Sequence, residues 1–327
     1  MKQQVGFIYL RDPVPQKEAC FSFFMILCLF LTVGCSSLSG QNKGYGKIAP
    51  TTSVTPIPTE TVQPKKHSSL TPMEGETRAK TPADQISDDP PGFKIIILYD
   101  NFPYRKGLET DWGFAALVEY EEEKILFDTG ASGTLLLTNM KEMGIDPQDL
   151  DKVVLSHAHK DHIGGLQAIL NSGGRPVVYL LPSFSASYKA GLRKMVKVVE
   201  VTPEQRLYER IYTTGEIHGP PPEQALILDT THGLVVITGC AHPGVVTVVS
   251  WAKNHYSENP TLVLGGFHLF NKSEVHVQWV LDEFQRLRVE RVAPCHCSGV
   301  RTREMFAREF GDRYIEVGAG KVIKIER

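Results

Sequence analysis

Three histidines and an aspartate fall within six positions, 157 to 162, in the stretch LSHAHKDHIGGL at 155–166. Imidazoles and a carboxylate crowded into an apolar setting are costly unless something satisfies their lone pairs. A divalent metal does so. A His-rich turn can also be a solvated surface loop, but the flanks oppose that reading. Asp151 to Ser156 (DKVVLS) reads as a short buried strand, and Ile163, Leu166, Ile169 and Leu170 follow at helical spacing. The histidines therefore sit where a strand enters a helix, the end at which open sheets build their sites.

The spacing sorts the donors. His157 and His159 lie two apart and share a side of an extended backbone, so both can reach one ion. The turn aims Asp161 and His162 at a second position, and Gly164 with Gly165 lets the backbone fold back closely. Two adjacent metals are implied.

His157, His159, Asp161 and His162 form the pattern His-x-His-x-Asp-His. With it stand ILFDTGASG at 125–133, TTGEI at 213–217, EQAL at 223–226, TGCAHPGVV at 238–246, LGGFHL at 264–269 and PCHCSG at 294–299. From about Phe93 to the C-terminus the chain resembles the metallo-β-lactamase superfamily. The words around the histidines resemble the branch named for 7,8-dihydropterin-6-yl-methyl-4-(β-D-ribofuranosyl)aminobenzene 5'-phosphate synthase, whose members are also described simply as metal-dependent hydrolases.

The resemblance implies an αββα sandwich, two mixed sheets flanked by helices. It makes His242, which follows a buried strand, the third ligand of the first metal. It places His296, which closes the strand RVAP, with Asp161 and His162 at the second. It gives Asp128, at the end of another strand, the task of orienting the cluster through hydrogen bonds. The superfamily generally carries an aspartate that bridges the two metals on a later strand; here that region is LVLGGFHL and holds no acid. His268 is the nearest replacement, as a terminal ligand or a donor to substrate, and a structural histidine fits the position as well.

Strands are predicted at 93–99, 114–120, 124–128 and 152–156, in VVYLL, KVVEV, RIYTT, ALILD, LVVIT, TLVLG and RVAP, and as two short strands around Gly318 to Gly320. Helices are predicted over Thr134 to Met143, Pro243 to His255, Ser273 to Leu287 and Arg301 to Phe310. This order fits two mixed sheets between helices, an α/β class.

The 327 residues, 42% of them hydrophobic, suit one substantial domain with an appendage, and a net charge of -2 offers no basic surface for nucleic acid. The appendage is N-terminal. Arg11 and Lys17 precede the apolar run at 19–34, and Val33-Gly34-Cys35 resembles a lipoprotein cleavage box. The run is shorter than the about 18 to 20 apolar residues a membrane span needs. Residues 1–35 are expected to be a bacterial signal ending in a lipidated Cys35, so that the protein is exported and membrane-anchored in the cell envelope. Residues 36–92, rich in Thr, Ser and Pro, are expected to be a disordered tether, and 93–327 the catalytic domain.

Cys240, Cys295 and Cys297 then remain in the exported domain. Thiolates bind zinc well, but neighbours on an extended strand point away from the side His296 uses. All three are expected to pack or support the site, with a disulfide from Cys240 as an option in an oxidising compartment. Tyr99, Asn101, Thr214, Glu216 and Glu223 are candidates for the rim of a small-molecule pocket.

The expected cofactor is one or two divalent ions, zinc first, with iron or manganese as alternatives. The expected chemistry is metal-dependent hydrolysis of an ester, lactone or phosphodiester, with Asp161 orienting the nucleophile. The alternatives are the synthase, a transferase that the resemblance names, and a tethered binding protein without catalysis.

Overall fold

A computed structural model describes residues 92–325. The predicted signal, and the predicted tether up to its last residue Gly92, lie outside these residues, and no helix among the described ones is long and apolar enough to cross a membrane.

The chain opens with a meander, β1 (Phe93–Tyr99), β2 (Ala115–Tyr120) and β3 (Glu123–Phe127). After α1 (Gly133–Glu142) come β4 (Lys152–Val154), α2 (Lys160–Ile163), α3 (Leu166–Asn171), β5 (Val177–Leu180), α4 (Ala186–Arg193) and β6 (Val198–Glu200). The second half holds β7 (Gln205–Tyr208), β8 (Ile211–Thr213), β9 (Leu226–Thr230), β10 (Gly233–Thr238), α5 (Val245–Tyr256), β11 (Pro260–Gly266), α6 (Glu274–Arg286), β12 (Arg291–Cys295), α7 (Val300–Phe310) and β13 (Val322–Ile325).

These strands make two mixed sheets, ordered β13-β1-β2-β3-β4-β5-β6 and β12-β11-β10-β9-β8-β7. Strand alternation explains how they stack. Ile95, Ile97, Val235 and Ile237 face one cluster that fills the space between the sheets. Their neighbours Ile96 and Leu98 pack with Leu136, Leu166 and Leu192 of α1, α3 and α4. Leu234 and Val236 pack with Val248, Val280 and Phe306 of α5, α6 and α7. The result is the expected αββα sandwich, with both faces of each sheet buried.

Parallel pairing runs through β3-β4-β5-β6 and through β10-β11-β12. In each run the strands end at a common edge, and β1, antiparallel to β2 as β2 is to β3, ends at the same edge as β3. Every loop that carries a predicted metal donor leaves a strand at such an edge.

The differences from the predicted elements have local causes. The apolar run after the His-rich turn is two helices, α2 and α3, split at Gly164-Gly165. Cβ atoms there would run into the carbonyls of Ala131 and Thr129, so the glycines permit the close fold expected of them. The edge strand β7 buries only Leu207, and α4 only Leu192, which leaves no periodic apolar signal. In place of two terminal strands there is one, β13, paired antiparallel to β1; Tyr314 and Ala319 make only isolated bridges.

Leu264 on β11 is fully buried between the sheets. Leu264→Ala is expected to cost about 2–5 kcal/mol, read as a lower denaturant midpoint with an unchanged slope. A cost below about 0.5 kcal/mol would mean that this face is not the main core.

Candidate metal centre

Donor atoms from both sheets converge at the shared edges. His157, His159 and His242 offer ligand atoms that all lie within 4.8 Å of one another, and so do Asp161, His162 and His296. The first set joins the loop after β4 to the loop after β10. The second joins α2 to the turn after β12. The two sets are adjacent, with the His157 and His162 rings 4.2 Å apart.

Hydrogen bonds from outside decide which nitrogen each imidazole turns inward. Asp128 Oδ2 lies 2.7 Å from His162 Nδ1 and accepts the Ser156 hydroxyl at 2.7 Å, while Oδ1 accepts the Ser156 amide at 2.7 Å. With its own proton given to Asp128, Ser156 Oγ accepts from His157 Nδ1 at 2.9 Å. Asn101 Oδ1 accepts from His296 Nδ1 at 3.0 Å, and its Nδ2 donates to the His296 carbonyl at 3.2 Å. Each of these three rings is therefore held with a proton on Nδ1 and a bare Nε2 toward the centre.

The electrostatics suit such a role, because a metal takes the neutral imidazole. Burial, with the repulsion of neighbouring histidines behind it, pulls His157 down to about 2, His162 to about 3 and His242 to about 4. Burial pushes Asp128 up to about 7, against the Ser156 bonds and the attraction of His157. Burial would raise Asp161 too, but the closeness of His296, whose Nε2 lies 3.4 Å from Asp161 Oδ2, and the charges that His162 and His296 can carry hold it well below the usual carboxylate range.

The donor set fits a divalent ion. His242 Nε2 and His296 Nε2 are buried with no hydrogen-bond partner. An orphaned polar atom costs about 1–3 kcal/mol, and one such atom stands in each donor set, where a bound ion would satisfy it. Five imidazoles and one carboxylate make a set that zinc, iron or manganese accepts.

The backbone is turned sharply to achieve this. Asp128, Ala241, His268 and His296 all have positive φ, 59°, 58°, 54° and 46°, at strand ends facing the site. Such residues cost about 1–3 kcal/mol each and persist where surroundings impose them.

The predicted rim residues each have partners within the fold. Asn101 orients His296. Tyr99 is buried in β1, its hydroxyl 3.4 Å from Asp111. Thr214 is buried and bonds the Gly215 carbonyl and the Ala225 amide. Glu216 is half-buried, and its amide donates to the Thr202 carbonyl. Glu223 is buried: Oε1 accepts the Cys240 and Ala241 amides at 2.7 and 2.9 Å, and Oε2 accepts the His242 amide at 2.8 Å. Its carboxylate builds the loop that carries His242.

The cysteines are buried, in the core or beside the donors. All three are free thiols, and only Cys295 packs in the core between the sheets. Residues 296–298 form a 3-10 turn, so extended-strand geometry does not apply, and Cys297 joins Cys240 and His268 in a third set of donor atoms within 4.8 Å. His268 thus sits beside thiols, its ring 4.4 Å from that of His242.

Sequence reasoning missed Trp112, whose Nε1 donates to Asp161 Oδ2 at 2.9 Å and whose ring lies 4.9 Å from that of His296. A lone tryptophan in a loop carried no signal. Gln224 was missed as well; its Nε2 donates to the Leu155 carbonyl and its amide to the Ser156 carbonyl. Cys240 had a signal, since it precedes His242 by the same two positions that separate His157 from His159.

Comparison with known proteins agrees with this architecture. The metallo-beta-lactamase superfamily profile matches residues 113–256. A Methanocaldococcus jannaschii protein named 7,8-dihydropterin-6-methyl-4-(beta-D-ribofuranosyl)-aminobenzene-5'-phosphate synthase is 28% identical over 283 residues, covering 71% of this chain and 96% of that one. Among solved structures, Tm1679, a metal-dependent hydrolase of the beta-lactamase superfamily, is similar at 28% identity and TM-score 0.61, over 72% of this chain and all of that one. YhfI from Bacillus subtilis, at 16% identity and TM-score 0.55 over 72% of this chain and 99% of that one, shares the fold. The chain carries a metallo-β-lactamase superfamily domain.

Proposed function

We propose that this protein is a metal-dependent hydrolase that directs water at an ester, lactone or phosphodiester. The observation that carries this reading is the pair of adjacent donor sets whose buried imidazoles are oriented from outside. His157, His159 and His242 would hold the first ion, and Asp161, His162 and His296 the second. A divalent metal supplies two things there: it polarises the bond under attack and lowers the pKa of water to about 7.

The chain's own groups do the rest. Asp128 and Asn101 keep the Nδ1 protons of His162 and His296 in place, which fixes both rings. Asp161 is the one carboxylate among the six donors and is 21% exposed, so it can reach entering water and orient it. Trp112 holds that carboxylate from the solvent side. The similarity to Tm1679, a metal-dependent hydrolase, supports this reading.

A second reading, a synthase acting on pterin-like compounds, has one structural observation in its favour. Trp112 and Phe270, 44% and 53% exposed, meet edge to face at 5.7 Å beside the site, where a flat ring could stack. The similarity at 28% identity to the Methanocaldococcus protein points the same way. The proposed export signal and Cys35 anchor favour the hydrolase, because the synthase would need cytoplasmic intermediates. A binding lipoprotein that keeps the fold without turnover is the third reading.

The zinc-loaded protein is expected to hydrolyse at least one of a phosphodiester, an ester and a lactone probe, to stop after chelation and to recover on adding zinc. Asp161→Asn should lower turnover by about 10²- to 10⁴-fold, and His157→Ala should abolish it. Hydrolysis that survives chelation and both substitutions would overturn the proposal, and saturable pterin binding without hydrolysis would favour the synthase.

Asp128→Asn is expected to weaken metal binding by about 10- to 100-fold, measured by competition with a chromogenic chelator. Unchanged affinity would show that the Asp128 hydrogen bonds do not orient a ligand.

A further inference from the structure

Cys240 is left over when the donors are sorted into two sets. It is 3% exposed, and its Sγ lies 3.2 Å from His162 Nε2. With His157 and His162 it forms another group whose ligand atoms all lie within 4.8 Å. His157 belongs to the first set and His162 to the second, so the sulfur stands between the two positions.

No carboxylate occupies that place. Asp161 sits on the side of His162 and His296, Asp128 faces the Nδ1 side of His162, and Glu223 is used by three amides. The same three amides fix Cys240 and His242 as one unit, and the left-handed Ala241 between them turns the chain at the site. Gly239 lets this loop come close: a Cβ there would strike Ser156 Oγ and lie 2.8 Å from Asp128 Oδ2.

Distances agree with ligation. Zinc–sulfur and zinc–nitrogen bonds of about 2.3 and 2.0–2.1 Å place two tetrahedral ligand atoms about 3.5 Å apart. The Sγ to Nε2 separation is close to that.

We infer that Cys240 is a direct ligand shared by the two ions, standing where the resemblance leads one to expect a bridging aspartate. On ligation the thiol gives up its proton to solvent and the sulfur binds as thiolate. His268, the replacement suggested by sequence, instead shares a donor group with this thiol and Cys297. A shared thiolate makes the centre softer than a carboxylate-bridged one and favours zinc, cobalt or ferrous iron over magnesium or manganese. The inference rests on the metal-centre reading above.

The test uses the full chain. In the protein loaded with two zinc ions, X-ray absorption should show about one sulfur per zinc at about 2.3 Å. After reloading with cobalt(II), a thiolate-to-cobalt charge-transfer band should appear in the near ultraviolet, vanish in Cys240→Ala and persist in Cys297→Ala. Bound zinc with no sulfur neighbour would overturn this inference and leave the hydrolase reading standing. About half a sulfur per zinc would make the thiolate a terminal ligand and overturn the sharing. A band lost in Cys297→Ala but kept in Cys240→Ala would assign the sulfur to the wrong thiol here. No bound metal would overturn both readings. Should Cys240→Ala fail to fold, Cys240→Ser, a smaller change that also removes the sulfur, takes its place, and the sulfur count is read in Cys297→Ala, where one sulfur per zinc leaves only a shared Cys240.

Discussion

Two adjacent side chains, Glu223 and Gln224, tie together the loops on which the centre depends. Glu223 gathers the amides of Cys240, Ala241 and His242 after β10, in the second sheet. Gln224 reaches the other way and bonds the backbone of Leu155 and Ser156 after β4, in the first sheet. Buried hydrogen bonds of this kind are costly to leave unmade. They hold two independently twisted sheets in one register at the edge where His157, His159 and His242 must meet.

Asp128 does comparable work within the first sheet. One fully buried carboxylate receives a Ser156 amide, the Ser156 hydroxyl and the His162 ring, and through Ser156 it reaches His157 as well. One histidine of each donor set is thus oriented from a single group. The network is satisfied on its outer side and turns imidazole nitrogens without protons toward the other donors on its inner side, which is the polarity a cation site requires. Positive φ at Asp128, Ala241, His268 and His296 is the backbone counterpart, strain placed where side chains must turn back across a strand end.

Much of this was legible in the sequence. The strand period placed His157 and His159 on one side, and the glycine pair after His162 announced a close backbone approach that the neighbouring carbonyls of Thr129 and Ala131 explain. The alternation of strands and helices foretold the sandwich. His242 and His296 came from motif resemblance, and their meeting with the His-rich turn is tertiary. What stayed hidden depends on partners distant in the chain. Nothing local distinguishes a rim glutamate from one that accepts three amides, as Glu223 does. The backbone around Cys297 was hidden too: the strand assumed to continue through it becomes a 3-10 turn at His296. Helix α4 and strand β7 were missed because each buries a single large side chain.

The split origin of the donors has a thermodynamic corollary. Since each set draws on both sheets, an ion bound there would clasp the sandwich across its own interface, joining segments as far apart as His157 and His242, or Asp161 and His296. Any such ion binds the folded chain and not the unfolded one, so it adds stability in proportion to the logarithm of its free concentration over its dissociation constant. The same atoms would then set both reactivity and endurance, and scarcity of metal would loosen the joint between the sheets as well as silence the site.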